Sequence, residues 1–294
     1  MTDKRRRLRA LIDAPGILVL PGVFNGYSVR LVESYGYEAA AISGAGVSES
    51  LLGWADKGIL TFDQNLAACR AMAECCELPL LADADTGYGN ALNVHFTVRA
   101  FEAAGLCAIS IEDQVWPKRC GHMTGKQVIP AAEMVSKVKA AVDARRDPDF
   151  MIRARTDAAA THGVSEVIDR LNLYAEAGAD IVFADALLSA ADIETVARSV
   201  KKPLSVNMGF GLIERGTTPL LTPKQLQGLG VCCVSYARLL TSAALKGMMN
   251  ALDAFAPMIN ADRVTPRPEL QVAFPELNRL MGIDRLDELE KKYE

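Results

Sequence analysis

The feature that most constrains this chain is an eightfold alternation of a short apolar or β-branched run with a longer amphipathic stretch. Short apolar runs suit strands buried on both faces, and the stretches between them suit helices that cover a parallel sheet. The expected strands are Ile17–Leu20, Ala39–Ser43, Leu78–Ala82, Ala108–Glu112, Met151–Arg155, Asp180–Ala184, Leu204–Asn207 and Val231–Tyr236. Between them run helical stretches at Ser28–Tyr35, Asp63–Cys76, Val94–Ala104, Ala131–Arg145, Ser165–Ala177, Ala190–Val200, Pro223–Leu229 and Leu240–Phe255. Gly36, Gly105, Gly178 and Gly230 each follow a helical run, where a left-handed cap is expected, and a strand follows each. Eight units without a linker predict a closed α/β fold, the (β/α)8 TIM barrel, rather than an open doubly wound sheet. The 294-residue length holds the roughly 250 residues such a barrel needs. Residues 1–256 are assigned to the barrel, and residues 257–294, which leave the repeat, to a C-terminal helical tail ending in the charged stretch Arg285–Tyr293.

A net charge of −4 gives no electrostatic reason to expect nucleic acid, whose phosphates are bound by clustered Lys and Arg. The basic cluster Lys4–Arg7, beside Leu8, Leu11 and Ile12, is expected to be the exposed face of a short terminal helix. No apolar run approaches the ~18 residues that span a bilayer, and the N-terminus lacks the apolar centre of a secretion signal, so no membrane partner and a cytoplasmic location are expected. Seven cysteines without a C-x-x-C pair suit reduced thiols. Six of them, all but Cys120, are read as small core fillers.

In a barrel of this kind the active site lies at the C-terminal strand ends, and those ends are unusually polar here. Asp83 and Asp85 follow strand three, Glu112 ends strand four, Arg155 ends strand five, Asp185 follows strand six and Asn207 ends strand seven. One acid alone would be read as a helix cap. Three on adjacent strands would repel one another unless a cation sat among them, and oxygen-only ligands favour Mg²⁺ or Mn²⁺ over zinc. Arg155 is a natural bidentate partner for a substrate carboxylate. In the loop after strand four, Cys120 has Lys118, Arg119 and His122 nearby, and positive neighbours raise the thiolate fraction of a thiol. A core thiol is not expected in a polar, Gly-containing loop, so Cys120 is the candidate acid/base.

The segments Ser43-Gly44-Ala45-Gly46, Asp83-Ala84-Asp85-Thr86-Gly87-Tyr88-Gly89, Glu112-Asp113-Gln114, Lys118-Arg119-Cys120-Gly121-His122, Arg155-Thr156-Asp157-Ala158 and Thr218-Pro219 are similar to those of the isocitrate lyase and phosphoenolpyruvate mutase superfamily. They most resemble its 2-methylisocitrate lyase and 2,3-dimethylmalate lyase branches, and the likeness spans nearly the whole barrel. The resemblance implies that Asp83 ligates Mg²⁺ directly while Asp56, Asp85 and Glu112 hold its waters. It implies that Ser43, Gly44, Ala45 and Arg155 bind the 2-oxo acid end of a small carboxylic acid, with Asn207 and Thr218 at its second carboxylate. Lys118, Cys120, Gly121 and His122 would lie on a mobile loop that closes over the substrate, and Cys120 would protonate an enolate, with Lys118, His122 and Glu112 in the same catalytic set.

The implied activity is Mg²⁺-dependent carbon–carbon cleavage of a 2-hydroxy di- or tricarboxylic acid. The rivals are oxaloacetate hydrolysis or decarboxylation, carboxyphosphonoenolpyruvate-type mutase chemistry and, from another class, a non-catalytic 2-oxo acid sensor. Relatives also imply a homotetramer that exchanges the C-terminal helix. The chain departs from the pattern at Asp185, where relatives carry Glu, and at Ala237, where they carry Pro. It departs most between Asn207 and Glu214, where a longer Gly-rich segment replaces a glutamate three residues after the asparagine.

Overall fold

The computed structural model describes residues 2–121 and 123–294. Eight parallel strands close into a barrel in sequence order. They are β1 (Leu18–Val23), β2 (Ala40–Ile42), β3 (Leu80–Asp83), β4 (Ala108–Glu112), β5 (Met151–Thr156), β6 (Ile181–Ala184), β7 (Leu204–Asn207) and β8 (Cys233–Tyr236). Every expected strand is present, and β8 closes the ring by pairing with β1.

The chain begins with α1 (Thr2–Asp13), and α2 (Gly26–Ser34) follows β1. Two helices, α3 (Gly44–Leu52) and α4 (Phe62–Glu74), lie between β2 and β3. Then come α5 (Ala91–Ala103), α6 (Ala131–Ala144), α7 (Ala159–Glu176), α8 (Ala190–Ser199), α9 (Pro223–Gly228) and α10 (Leu239–Phe255), one after each later strand. Their apolar faces and the outward strand residues form one core, with Phe101, Phe150 and Tyr174 among its largest buried side chains.

A second apolar cluster fills the barrel's N-terminal end, and it corrects the reading of the basic N-terminus at Arg5, while Arg6 and Arg7 are exposed as expected. Leu8 and Ile12 of α1 pack among Leu18, Leu20, Met151, Ile181 and Cys233, which come from the starts of four strands. Docking the helix there carries Arg5 inward to 6% exposure. Its Nε donates to Leu106 O at 3.1 Å, Nη2 to Glu102 O at 2.6 Å and Nη1 to Asp147 Oδ2 at 3.0 Å. Arg5 is therefore part of a plug, because the last turn of α5 and the loop after it leave carbonyls that a guanidinium can satisfy.

All seven cysteines are free thiols. Cys69, Cys76, Cys107 and Cys233 are buried as expected, whereas Cys75 and Cys232 are only half-buried. The chain ends in α11 (Phe274–Leu280) and α12 (Ile283–Tyr293). Neither these nor α10 contains a buried residue, and α10 exposes Leu245, Met248, Leu252 and Phe255. Among the described residues no helix is long and apolar enough to cross a membrane.

Candidate active site

The carboxylates at the C-terminal rim are set by the turn after β3. Asp83 Oδ1 accepts the Asp85 N–H at 3.0 Å, which holds Asp85 in the left-handed region at φ 49°. Asp85 and Asp56 then clasp the ammonium of Lys118, at 2.8 and 2.7 Å, with all three side chains at most 4% exposed. Burial pushes the Asp85 carboxyl up, Lys118 opposing and Asp83 and Asp56 adding to the rise. Burial alone would lower Lys118, but Asp85, Asp56 and Glu112 reverse that and hold it well above the usual lysine value. Burial likewise drives Glu112 well above the ordinary carboxylate range, against the charge of Arg155. The cation that the acids were expected to need is thus supplied in part by the protein.

Among the described residues no three carboxylates, thiols or imidazoles converge closely enough to grip a bare metal ion. The donor set nevertheless fits one hard cation held by a single carboxylate and otherwise through water. It offers only oxygen, and Glu112 Oε1 is buried without a hydrogen-bond partner. Gly44 also leaves a notch beside Asp83, since a Cβ there would stand 2.8 Å from Asp83 Oδ2.

The Cys120 loop is fastened at several points. The side-chain amide of Gln114 exchanges two hydrogen bonds with the backbone of Arg119, at 2.9 and 3.0 Å, and the Cys120 N–H donates to Asp56 O at 3.2 Å. Gly121 lies flat on the site, where a Cβ would fall 1.6 Å from Asp185 Oδ2 and 2.5 Å from Arg155 Nη2. Lys126 ties it down, donating to Gly121 O at 2.5 Å and to Asp157 Oδ1 at 2.8 Å.

Among the described residues the cation at the sulfur is neither Lys118 nor Arg119. Lys118 turns to Asp56 and Asp85, and Arg119 Nη1 donates to Thr124 O at 2.9 Å. Arg238 Nη2 approaches Cys120 Sγ at 3.7 Å instead, while Arg238 Nη1 pairs with Glu49. His122 lies outside the described residues.

Ser43 ends β2 sooner than expected and caps α3, its Oγ accepting the Gly46 N–H at 3.1 Å. Gly44 and Ala45 therefore belong to a helix N-terminus, which attracts anions. Arg155 is bracketed by Asp157 (2.8 and 2.9 Å), Asp185 (2.8 Å) and Glu112 (3.2 Å). Asp157 is buried, which opposes ionisation, yet Arg155 and Lys126 hold its carboxyl below the usual range.

Asp113 braces this corner, accepting from Thr156 Oγ1 at 2.7 Å, Tyr174 Oη at 2.7 Å, Arg170 Nη1 at 3.1 Å and the Asp157 N–H at 3.0 Å. Asn207 Oδ1 accepts from the Gly209 N–H at 2.9 Å and the Ala237 N–H at 3.4 Å. The segment after it folds back so that Arg215 Nη2 donates to Asn207 O at 2.8 Å, and a Cβ on Gly209 would strike that guanidinium.

Ser43, Ala45, Asp56, Asp83, Glu112, Lys118, Cys120, Gly121, Arg155, Asp185 and Asn207 line one cleft. Gly44 and Asp85 stand just behind it as its supports. Thr218 does not line it: the residue is buried, and its hydroxyl donates to Thr217 O at 2.6 Å. Sequence reasoning missed Arg153 and Arg238, which do line the cleft. Both were open to the argument that singled out Arg155, since Arg153 is on the same strand and Arg238 follows strand eight.

Fold and family together define a TIM-barrel enzyme, with ionisable side chains gathered at the C-terminal strand ends. The chain belongs to the phosphoenolpyruvate phosphomutase family, whose pattern it matches over residues 8–256, within the phosphoenolpyruvate mutase and isocitrate lyase superfamily. It is 38% identical to a 2,3-dimethylmalate lyase of Eubacterium barkeri, covering 98% of this chain and 97% of the relative. Oxaloacetate acetylhydrolase in complex with 3,3-difluorooxalacetate superposes with a TM-score of 0.91 at 27% identity, covering 99% of this chain and 97% of the other. Phosphonopyruvate hydrolase in complex with oxalate and Mg²⁺ superposes with a TM-score of 0.86 at 29% identity, covering 99% of each chain.

Proposed function

We propose that this chain is a Mg²⁺-dependent carbon–carbon lyase that cleaves a 2-hydroxy di- or tricarboxylic acid to a 2-oxo acid and a second carboxylic acid. The observation that carries this reading is the position of the Cys120 thiol, in a cleft with an anion-attracting helix start on one side and Arg238 at its sulfur. Asp83 would hold the Mg²⁺ directly and Asp56, Asp85 and Glu112 its waters; bound there, the ion would supply positive charge beside the 2-oxygen and carboxylate of the substrate.

The start of α3 at Ser43–Ala45, with Arg155, binds that carboxylate and fixes its plane. Glu112, with Oε1 unpaired, is the carboxylate that takes the 2-hydroxyl proton. The C–O bond becomes a carbonyl, the bond from C2 to C3 breaks, and its electron pair passes to C3 as a carboxylate enolate. The Cys120 S–H protonates C3, and Lys118, shared between Asp56 and Asp85, keeps the loop backbone in place for the transfer. The loop across Cys120–Gly121 excludes the water that would otherwise quench the enolate.

A second reading, hydrolysis of oxaloacetate, is favoured by one observation. Arg215 folds across Gly209 at the end of β7, where the longer arm of an extended acid would lie. A panel of 2-hydroxy di- and tricarboxylic acids and oxaloacetate, assayed with and without Mg²⁺, separates the two. Cleavage of a 2-hydroxy acid is expected, reduced roughly 100-fold or more in Cys120→Ser because general acid catalysis contributes about that much. Undiminished cleavage by the variant would remove Cys120 from the reaction. Silence of the wild type across the panel would favour a sensor.

The apolar face of α10 and the unburied tail support a homotetramer that exchanges α11 and α12 between subunits.

A further inference from the structure

Arg153 has no part in the reaction above. It lies on β5 two residues before Arg155, so both side chains fall on the inner face of the barrel. It is 5% exposed and lines the floor of the cleft. Its Nε donates to Ser110 Oγ at 3.2 Å and its Nη1 to Ser205 Oγ at 3.3 Å, and the guanidinium stacks 4.7 Å over the Phe183 ring. Among the described residues no carboxylate reaches salt-bridge distance of it, and Nη2 has no hydrogen-bond partner.

The contrast with Arg155 is sharp, for that guanidinium is already shared by three carboxylates. A buried cation held only by neutral hydroxyls is costly to fold, and it keeps its charge available for an anion that arrives later. Burial lowers its pKa for the same reason. Against burial, the charges that support it are the Cys233 thiol of β8 and then Asp83; a hydrogen bond from Cys232 pulls that thiol below the usual range, burial opposing and Arg153 assisting.

The register fixes the height of Arg153 in the barrel. Asp83 pairs with Ser110 across β3 and β4, and Ser110 pairs with Arg153 across β4 and β5; because barrel strands are tilted and staggered, this register sets Arg153 one layer beneath Asp83, level with its partner Ser205.

We propose that Arg153 is the anion anchor on the floor of this cleft, its open guanidinium edge binding the carboxylate of the 2-oxo acid half of the substrate beside Asp83. This rests on the reading of the site as one for 2-oxo and 2-hydroxy acids. The two serines orient the planar fork without neutralising it, which a lysine could not reproduce.

The test is calorimetric titration of oxalate, a planar stand-in for that half, into the full chain with Mg²⁺ present. Wild type, Arg153→Met and Arg153→Lys are compared, each also melted with and without oxalate. Arg153→Met is expected to weaken oxalate roughly 10- to 100-fold, the range for a charged hydrogen bond, and to melt at or above the wild-type temperature without ligand. Arg153→Lys should recover part of the affinity; should the methionine variant fail to fold, lysine binding as tightly as arginine would overturn the proposal. So would absence of oxalate binding to the wild type. Unchanged affinity in Arg153→Met, with a lower melting temperature, would make Arg153 the structural partner of Cys233 instead. Lost oxalate affinity in a protein that turns over no acid in the panel defeats the lyase reading and leaves the anchor. Full turnover with unchanged oxalate affinity defeats the anchor alone.

Discussion

Gly121 is the residue where space is tightest, since a methyl group there would overlap Asp185 and the Arg155 guanidinium. Gly121→Ala should therefore lift the Cys120 loop and lower kcat about 100-fold, the scale set by displacing a catalytic group by ~1 Å. The melting temperature should stay close to that of wild type, because the loop adds little to the core; steady-state kinetics beside a thermal melt would check both. Cys120 and Arg155 could be found from the chain alone, because an out-of-place thiol and a strand-end arginine announce themselves locally. The partner of the thiol could not. Arg238 is 118 residues away, and only barrel closure brings β8 beside the loop after β4. Of the three cations expected around Cys120, Lys118 faces the acids and Arg119 faces Thr124, while His122 lies outside the described residues. Thr218 shows the converse, matching a motif while its hydroxyl is turned to its own neighbour.

At the scale of elements, alternation located all eight strands because each is a short apolar run bounded by turn-forming residues. It did not find α3, whose first turn contains Gly44 and Gly46, poor helix formers held by the Ser43 cap and by close packing. The expected start of the next-to-β5 helix at Ser165 matches a real break, since α7 is interrupted at Gly163, φ 82°. In the basic N-terminal cluster Arg6 and Arg7 are exposed as expected, but Arg5 was misread, because charge patterning describes a helix in solvent and α1 is covered along the side bearing Arg5, Leu8 and Ile12. Leu8 is completely buried in the barrel mouth, so Leu8→Ala should cost about 2–5 kcal/mol of unfolding free energy in a denaturant titration. A loss below about 1 kcal/mol would show that α1 only rests on the barrel.

For the molecule as a whole, the closed barrel was legible because eight units exhaust the chain up to the tail. The role of the tail was not, since much of its apolar surface stays uncovered within one copy: Ile259, Phe274 and Leu286 are exposed. Full-length protein is expected to elute as a tetramer in light-scattering chromatography, and a chain ending at residue 256 as a smaller species. A truncated chain that remains tetrameric would reduce the tail to a surface appendix. The seating of α1 has a further bearing on turnover. With Leu8 and Ile12 corking the far end, the described residues leave the barrel open at the C-terminal rim, where Cys120 lines the cleft. On the lyase reading proposed above, whatever enters leaves by the way it came, the fragment nearest Asp83 last, and the tempo of the whole cycle is then bounded by how often that doorway opens.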